Sequence, residues 1–260
     1  MKKSMTGITL AFCALASMGS HASETQLIRF GVEPNYPPFE SKMPDGSLVG
    51  FDIDLGNAMC AELKAKCVWV EHGFDGMIPG LMAKKFDAIL SGMLITEKRK
   101  QVINFSNRLY LSTASLMVRK GSGLLPTAES LRGKRVGVQQ GTSQETFMRT
   151  YWAPKGVQVV GYQSQDQVYA DVRAGRLDGA VQSTVQAKLL FLGRPEGKNF
   201  ELAGDPLRDD KIFGPGVGIG IHKDNVALEK DLNRALAKIK ANGTYHKLMK
   251  KYFDFDISGG

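Results

Sequence analysis

The chain has 260 residues, with 34 lysines and arginines against 26 acids and a formal charge of +8. The basic excess is scattered, with no basic stripe interleaved with aromatics, which argues against a nucleic-acid role. Beyond the first 22 residues no stretch approaches the roughly 18 apolar residues that a membrane helix needs, and the length suits one large domain or two small ones.

Lys2 and Lys3, the apolar run "MTGITLAFCALASMG" and the small-residue motif "SHA" ending at Ala22 have the form of a secretory signal peptide. A lipid-attachment reading of "LAFC" fits less well, because Phe12 is bulky beside Cys13 and the apolar run continues past it. Cleavage after Ala22 removes two lysines and no acid, lowering +8 to +6, and leaves an exported chain. Cys13 departs with the leader, so Cys60 and Cys67 remain. An even count in an exported protein points to a disulfide. Zinc would need more ligands than the nearby His72, and no metal site is expected.

Apolar runs of strand length then alternate with amphipathic runs of helix length. "LIRFGVE" (27–33) reads as a strand, 51–65 as a helix, "CVWVE" (67–71) as a strand, 75–85 as a helix and "FDAILSG" (86–92) as a buried strand. The rhythm restarts with strands at 114–120 and 135–141, a helix over 143–151, a strand at 157–162, a helix over 165–174 and a strand at 177–182. "GVGIGIHK" (216–223) reads as a strand whose alternating glycines admit close neighbours, since the spacing and position do not match a dinucleotide fingerprint. Leu228, Leu232, Ala235, Leu236 and Ile239 form one apolar helical stripe, stopped at Asn242-Gly243, and a short helix ends near "KYFDF". This alternation predicts an α/β fold with largely parallel sheets. Crossings at "YLSTAS" (110–115) and "PLRDDKIFGPG" (206–216) predict two lobes with a ligand cleft between them.

The motifs "GFDIDLGNAMC", "FDGMIPGL", "DAILSGMLITEKR", "GVQQGTSQE", "AGRLDGA" and "GTYHKLMKKYFDF" resemble the periplasmic polar-amino-acid-binding proteins of ABC importers, family 3 of the bacterial solute-binding proteins. The lysine/arginine/ornithine- and histidine-binding subgroup matches best. The resemblance spans the whole mature chain. It implies a two-lobed type II binding-protein fold with two hinge strands, lobe one at 23–110 and 214–260, lobe two at 114–207, and hinge crossings at 111–113 and 208–213. It also implies a Cys60–Cys67 disulfide, a periplasmic location, an inner-membrane ABC permease complex as partner, a monomer, and no cofactor.

By the same resemblance, Arg99 pairs with the α-carboxylate of a small-molecule amino acid or derivative. The backbone amides at Leu94 and Ser143 and the hydroxyl of Thr142 assist. A guanidinium fork with neutral N–H donors near a helix start suits a carboxylate. From the residues alone, Thr96 could simply cap a helix and leave Arg99 as a surface charge. Tyr36 and Phe74 match the two aromatic positions that sandwich the ligand side chain. Glu33 falls where relatives that bind basic side chains carry an acid. Ser91 and Gly92 fit positions whose oxygens meet ligand nitrogens, and Gln139 adds an amide on lobe two.

One residue departs from the family pattern. In "AGRLDGAVQSTVQ", Ser183 stands where an acid commonly pairs with the ligand's α-ammonium. Losing one side of a buried charge pair costs about 2–5 kcal/mol. A serine also leaves room for a secondary amine or a nitrogen carrying a further acid group, as in arginine-derived opines. A cationic acid lacking the α-amine would fit as well, and alternatively Gln182 or a water restores the contact for plain arginine, ornithine, lysine or histidine.

No enzyme activity is expected. The mature chain has only His72, His222 and His246, with neither a G-x-S-x-G elbow nor H-E-x-x-H. A periplasmic dehydratase of cyclohexadienyl acids shares this fold, and Glu33 is the one pocket acid that could serve such a reaction. With nothing following "DFDISGG", a free carrier is expected rather than the sensing module of a receptor.

Overall fold

A computed structural model of the protein describes residues 26–259. The expected leader and its cleavage site lie outside the described residues. β1 (Leu27–Val32) is followed by a small antiparallel sheet of β2 (Asn35–Tyr36), β3 (Glu40–Lys42) and β4 (Leu48–Val49), then by helix α1 (Phe51–Glu62) and β5 (Lys66–Glu71). α2 (Met77–Met82), β6 (Ala88–Ile89), α3 (Glu97–Lys100) and β7 (Asn104–Phe105) complete the first pass through this half. A second set follows: β8 (Ala114–Arg119), β9 (Arg135–Gln139), α4 (Ser143–Phe147), β10 (Gln158–Tyr162), α5 (Gln165–Arg173), β11 (Gly179–Ser183), α6 (Thr184–Gln186) and β12 (Phe200–Leu207). The chain then returns through α7 (Asp210–Phe213) to β13 (Gly220–Ile221), α8 (Val226–Ala241) and α9 (Thr244–Tyr252).

Two five-stranded sheets result, ordered β5-β1-β6-β13-β7 and β10-β9-β11-β8-β12. The α/β expectation holds, but the sheets are mixed rather than largely parallel. β1 pairs in parallel with β5 and β6, and β9 with β10 and β11. β8 and β13, the strands entered from each crossing, run antiparallel to both neighbours. The first crossing enters β8 with no helix between, and the second passes only the four-residue α7 before β13, neither making the long helical crossover typical of parallel pairing.

Several elements differ from the expected ones. Only Ala88 and Ile89 of the 86–92 run pair in the sheet, and the chain bends at Ser91 and Gly92. In 216–223 only Gly220–Ile221 is a strand, preceded by bridges from Val217 to Leu94 and Tyr110. Its glycines do admit close neighbours: a Cβ at Gly216 would lie 2.5 Å from the Tyr110 carbonyl oxygen. β12 went unread because Gly204 and Pro206 interrupt its pattern. It survives as an edge strand with a register shift between Ala203 and Leu207. The 143–151 helix is α4 continued by a π-helical turn, Met148–Trp152, and a second π turn, Ala187–Leu192, follows α6.

The stripe on α8 is buried as expected, at Leu228, Leu232, Ala235, Leu236 and Ile239. The C-terminal segment packs beside α1 through aromatic contacts, Phe51 with Phe253 at 5.4 Å and with Tyr245 at 6.0 Å between ring centroids. Phe39 stacks on Tyr110 at 5.0 Å, which ties the small sheet to the start of the first crossing. Cys60 and Cys67 form a disulfide, Cα–Cα 5.9 Å, joining the end of α1 to β5. Among the described residues no helix is long and apolar enough to cross a membrane, and no group of His, Cys, Asp and Glu could hold a metal ion.

Beneath the aromatic stack lies a buried acid pair. Asp52, in the first turn of α1, accepts from the Gly92 amide at 3.1 Å and the Tyr110 hydroxyl at 3.0 Å, both on Oδ2. Glu40 Oε1 accepts from the Ser91 hydroxyl at 2.7 Å. Glu40 Oε2 and Asp52 Oδ1 are buried and have no other partner. Burial, and then the Asp52 charge, push Glu40 well above the ordinary carboxylate range, and burial also raises Asp52. One proton therefore stays with the pair.

Two predictions follow from these contacts. The disulfide closes a short loop over a sequence separation of 7, which corresponds to about 2–3 kcal/mol of stabilisation. A Cys60→Ala/Cys67→Ala variant should therefore melt about 5–10 °C lower; an unchanged melting temperature contradicts this. The retained proton raises Glu40 above its ordinary 4.5, so its stabilising contribution is complete below that pH and is lost as pH rises. Glu40→Gln keeps a donor towards Asp52 and an acceptor towards Ser91 without titrating. Urea unfolding followed upward from about pH 5 should then show a shallower decline than in the wild type, by at most about 1.4 kcal/mol per pH unit. Parallel curves would show that Glu40 does not hold the proton.

Candidate ligand-binding site

A narrow cavity lies between the two sheets, at the carboxyl ends of their parallel strands. All eleven residues singled out from the sequence line it: Glu33, Tyr36, Phe74, Ser91, Gly92, Leu94, Arg99, Gln139, Thr142, Ser143 and Ser183. They arrive from elements far apart in the chain. Glu33 follows β1, Ser91 and Gly92 follow β6, Gln139 ends β9, and Ser183 ends β11.

Arg99 is placed by a short helix that Thr96 caps, the Thr96 hydroxyl accepting from the Arg99 amide at 3.2 Å. The cap is real, yet Arg99 is only 9 % exposed and no surface charge. Its guanidinium donates to the Leu94 carbonyl at 2.9 Å and, across the cleft, to the Gly141 carbonyl at 3.0 Å. It also lies over the Phe74 ring, 5.7 Å from the centroid. None of the ion pairs among the described residues includes Arg99. Burial without a counter-charge lowers its pKa to about 10.

Glu33 is 7 % exposed and accepts from Gln139 Nε2 with both oxygens, at 2.9 and 2.8 Å, another bond across the cleft. Gln139 Nε2 also reaches the Gln163 carbonyl at 3.3 Å. Burial raises the Glu33 carboxyl to about 7; the Gln139 amide opposes this, while the charges of Asp75 and Asp166 add to it.

Tyr36 packs over Gly92, where φ is +57° and a Cβ would sit 3.0 Å from the ring. Burial raises the Tyr36 hydroxyl well above its ordinary range and keeps it protonated, with neighbouring Ser183 opposing the shift. Ser91 is already engaged, accepting from the Glu33 amide at 3.0 Å while donating to Glu40. The Thr142 hydroxyl is engaged too: it donates to the Gln139 carbonyl at 2.7 Å and caps α4, accepting from the Glu145 amide at 3.1 Å. It can meet a ligand only by releasing Gln139.

Sequence reasoning did not find Glu40, Ser112, Gln144, Gln165, Val181 or Gln186 on the cavity wall, and placed Gln182 there only as a substitute for Ser183. Glutamines carry no charge and no periodic signal. The one available cue was the spacing of Gln182 and Gln186 around Ser183 in "VQSTVQ".

Comparison with known proteins agrees with this architecture. The chain is 48% identical to the histidine-binding periplasmic protein of Escherichia coli (strain K12) over 260 residues, 100% of both chains. It is 47% identical to the lysine/arginine/ornithine-binding periplasmic protein of the same organism over 259 residues, again 100% of both. A solved Salmonella typhimurium periplasmic binding protein, described as highly arginine-specific, superposes with a TM-score of 0.81 at 33% identity, covering 88% of this chain and 100% of the other. Residues 28–255 match the family model for bacterial extracellular solute-binding proteins, family 3, and the chain belongs to that family.

Proposed function

We propose that this chain is the solute-binding component of an ABC importer, and that it closes its two lobes over a cationic amino acid or an N-substituted derivative such as an arginine-derived opine. The observation that carries the reading is the pairing of two buried, oppositely charged groups in one cavity, Arg99 and Glu33. Arg99 has five N–H donors and gives two to carbonyls, so a carboxylate is the group it suits. Glu33 suits a guanidinium or ammonium, and the faces of Tyr36 and Phe74 accept an aliphatic stem. Relatives named for binding histidine, lysine, arginine and ornithine support the class.

In this mechanism lobe one binds first, through Glu33, Tyr36, Phe74 and Arg99. Closure then brings the Ser143 amide and Ser183 onto the ligand. The Arg99–Gly141 and Glu33–Gln139 bonds are already formed across the cleft, which supports hinge closure as the working motion. The protein acts as a periplasmic monomer and hands its ligand to a membrane permease, where the partner hydrolyses ATP. Glu33 accepts on both oxygens from Gln139. Gln139 occupies both oxygens, and a cationic ligand head would take its place, which leaves Glu33 no leaving group to protonate and favours a carrier over the dehydratase alternative.

The test is calorimetric titration of purified protein, freed of carried-over ligand, with L-arginine. A cationic head needs Glu33 ionised, and Glu33 holds its proton up to about 7. Affinity should therefore rise with pH by up to about tenfold per unit and level off above that value. Glu33→Gln should remove the slope, and Arg99→Met should weaken binding by about thirtyfold or more. A flat profile shared by wild type and Glu33→Gln would sink the role of Glu33, and no binding by any cationic amino acid or opine would sink the class.

Closure has its own test at Gly141. Its φ is +75°, and a Cβ there would lie 2.7 Å from the Asp75 Cα on the opposite lobe. Gly141→Ala should leave a folded protein that binds at least about tenfold more weakly, with ligand-induced compaction in small-angle scattering reduced. Compaction and affinity equal to wild type would show that the lobes do not meet at this point.

A further inference from the structure

The wall formed by the end of β11 and by α6 differs in chemistry from the rest of the cavity. Gln182 and Gln186 both line it and are 3 % and 1 % exposed. The amide nitrogen of each is buried and has no hydrogen-bond partner. The Gln182 Oε1 accepts from Nε2 of Gln165, another residue of the cavity wall, at 3.3 Å, so its NH₂ is the end that remains. Between them, Ser183 Oγ accepts from the Gln186 backbone N–H at 3.4 Å, and its own hydroxyl proton is able to donate. The acids on the cavity wall are Glu33 and Glu40, and both are engaged elsewhere, with Gln139 and with Ser91 and Asp52.

This wall therefore presents donors in excess of acceptors. An ammonium is donor-only and does not satisfy these groups; a carboxylate is acceptor-only and matches the two amide NH₂ groups and the Ser183 hydroxyl. Leaving buried amide donors without acceptors is costly, so a cluster of them marks where an acceptor is bound. We propose that Gln182, Gln186 and the Ser183 hydroxyl form a second carboxylate seat, which takes an acid group carried on the α-nitrogen of the ligand. The inference rests on the assignment of Arg99 and Glu33 to the first carboxylate and the cationic head, and it narrows the ligand to an N-carboxyalkyl derivative of a basic amino acid. Such a molecule has two acids and one distal cation. Arg99 and the amide seat receive the acids, Glu33 receives the cation, and the secondary amine lies between them without needing an acid of its own.

The experiment compares three probes by calorimetry on the full exported protein: L-arginine, Nα-carboxyethyl-L-arginine, and Nα-isopropyl-L-arginine, which keeps the bulk of the substituent and lacks its acid. The expected result is that the carboxyethyl compound binds at least about tenfold more tightly than the isopropyl compound. Gln182→Leu and Gln186→Leu should each erase most of that difference between the carboxyethyl and isopropyl compounds. Gln186→Glu, close to isosteric, guards against a simple packing defect: it should disfavour the carboxyethyl compound and improve L-arginine, a reversal that loss of packing would not produce. If L-arginine binds and the carboxyethyl compound is no tighter than the isopropyl one, the second seat is overturned while the basic amino-acid assignment stands. If none of the three binds, that underlying assignment fails and the second seat with it.

Discussion

The burial of Arg99 sets the terms for the rest of the pocket. A guanidinium removed from water and facing two carbonyls and an aromatic ring keeps its hydrogen bonds but not a counter-charge. That arrangement is expensive to maintain, and much of the surrounding structure maintains it. The Thr96 cap fixes the four-residue helix that carries the side chain, the bend after β6 supplies the Leu94 carbonyl, and the opposite lobe supplies the Gly141 carbonyl. Because one of these partners lies across the cleft, the charge also couples the two lobes.

The lobes contribute unlike chemistry. The first supplies the charged groups, Arg99 and Glu33, together with the aromatic faces of Tyr36 and Phe74. The second supplies neutral hydrogen-bonding groups, from Gln139 and the Ser143 loop to the amides around Ser183. In the proposed order of binding, charged groups on the half that meets the ligand first would capture it over a longer range. Neutral donors on the half that arrives later discriminate by geometry, since a hydrogen bond falls away within a fraction of an ångström. The buried Glu40–Asp52 pair holds this frame together from below, linking Ser91 and Gly92 on the pocket floor to Tyr110 at the first crossing.

Much of this was legible in the sequence where a local rule applied. The α8 stripe, the Thr96 cap before Arg99 and the even cysteine count each follow from short-range chemistry. The eleven pocket residues were legible through their motifs rather than their physics, since nothing local to Glu33 or Gln139 announces that they meet. The misses have physical causes. The strands β2, β3, β4 and β7 are two or three residues long and exist through pairing alone, too short for any period to register. β12 carries a proline and a bulge that disguise it. Glu40 and Asp52 read as ordinary surface acids because the groups that bury them, Tyr110 and Ser91, come from distant segments. The amides of Gln182 and Gln186 acquire meaning only once their burial and lack of partners are known.

The position of β13 has a consequence for how the molecule is made. This strand lies inside its sheet, between β6 and β7, although it is contributed by the last fifth of the chain. The sheet containing β1 therefore cannot close until synthesis is almost complete, whereas the strands of the other sheet are contiguous, from β8 to β12, and need no later strand. Assembly is thus ordered against the direction of the chain: the half encoded in the middle is able to fold first, while the amino-terminal half waits with its β6 edge and apolar α1 face unpaired. That waiting interval exposes the chain to misassociation.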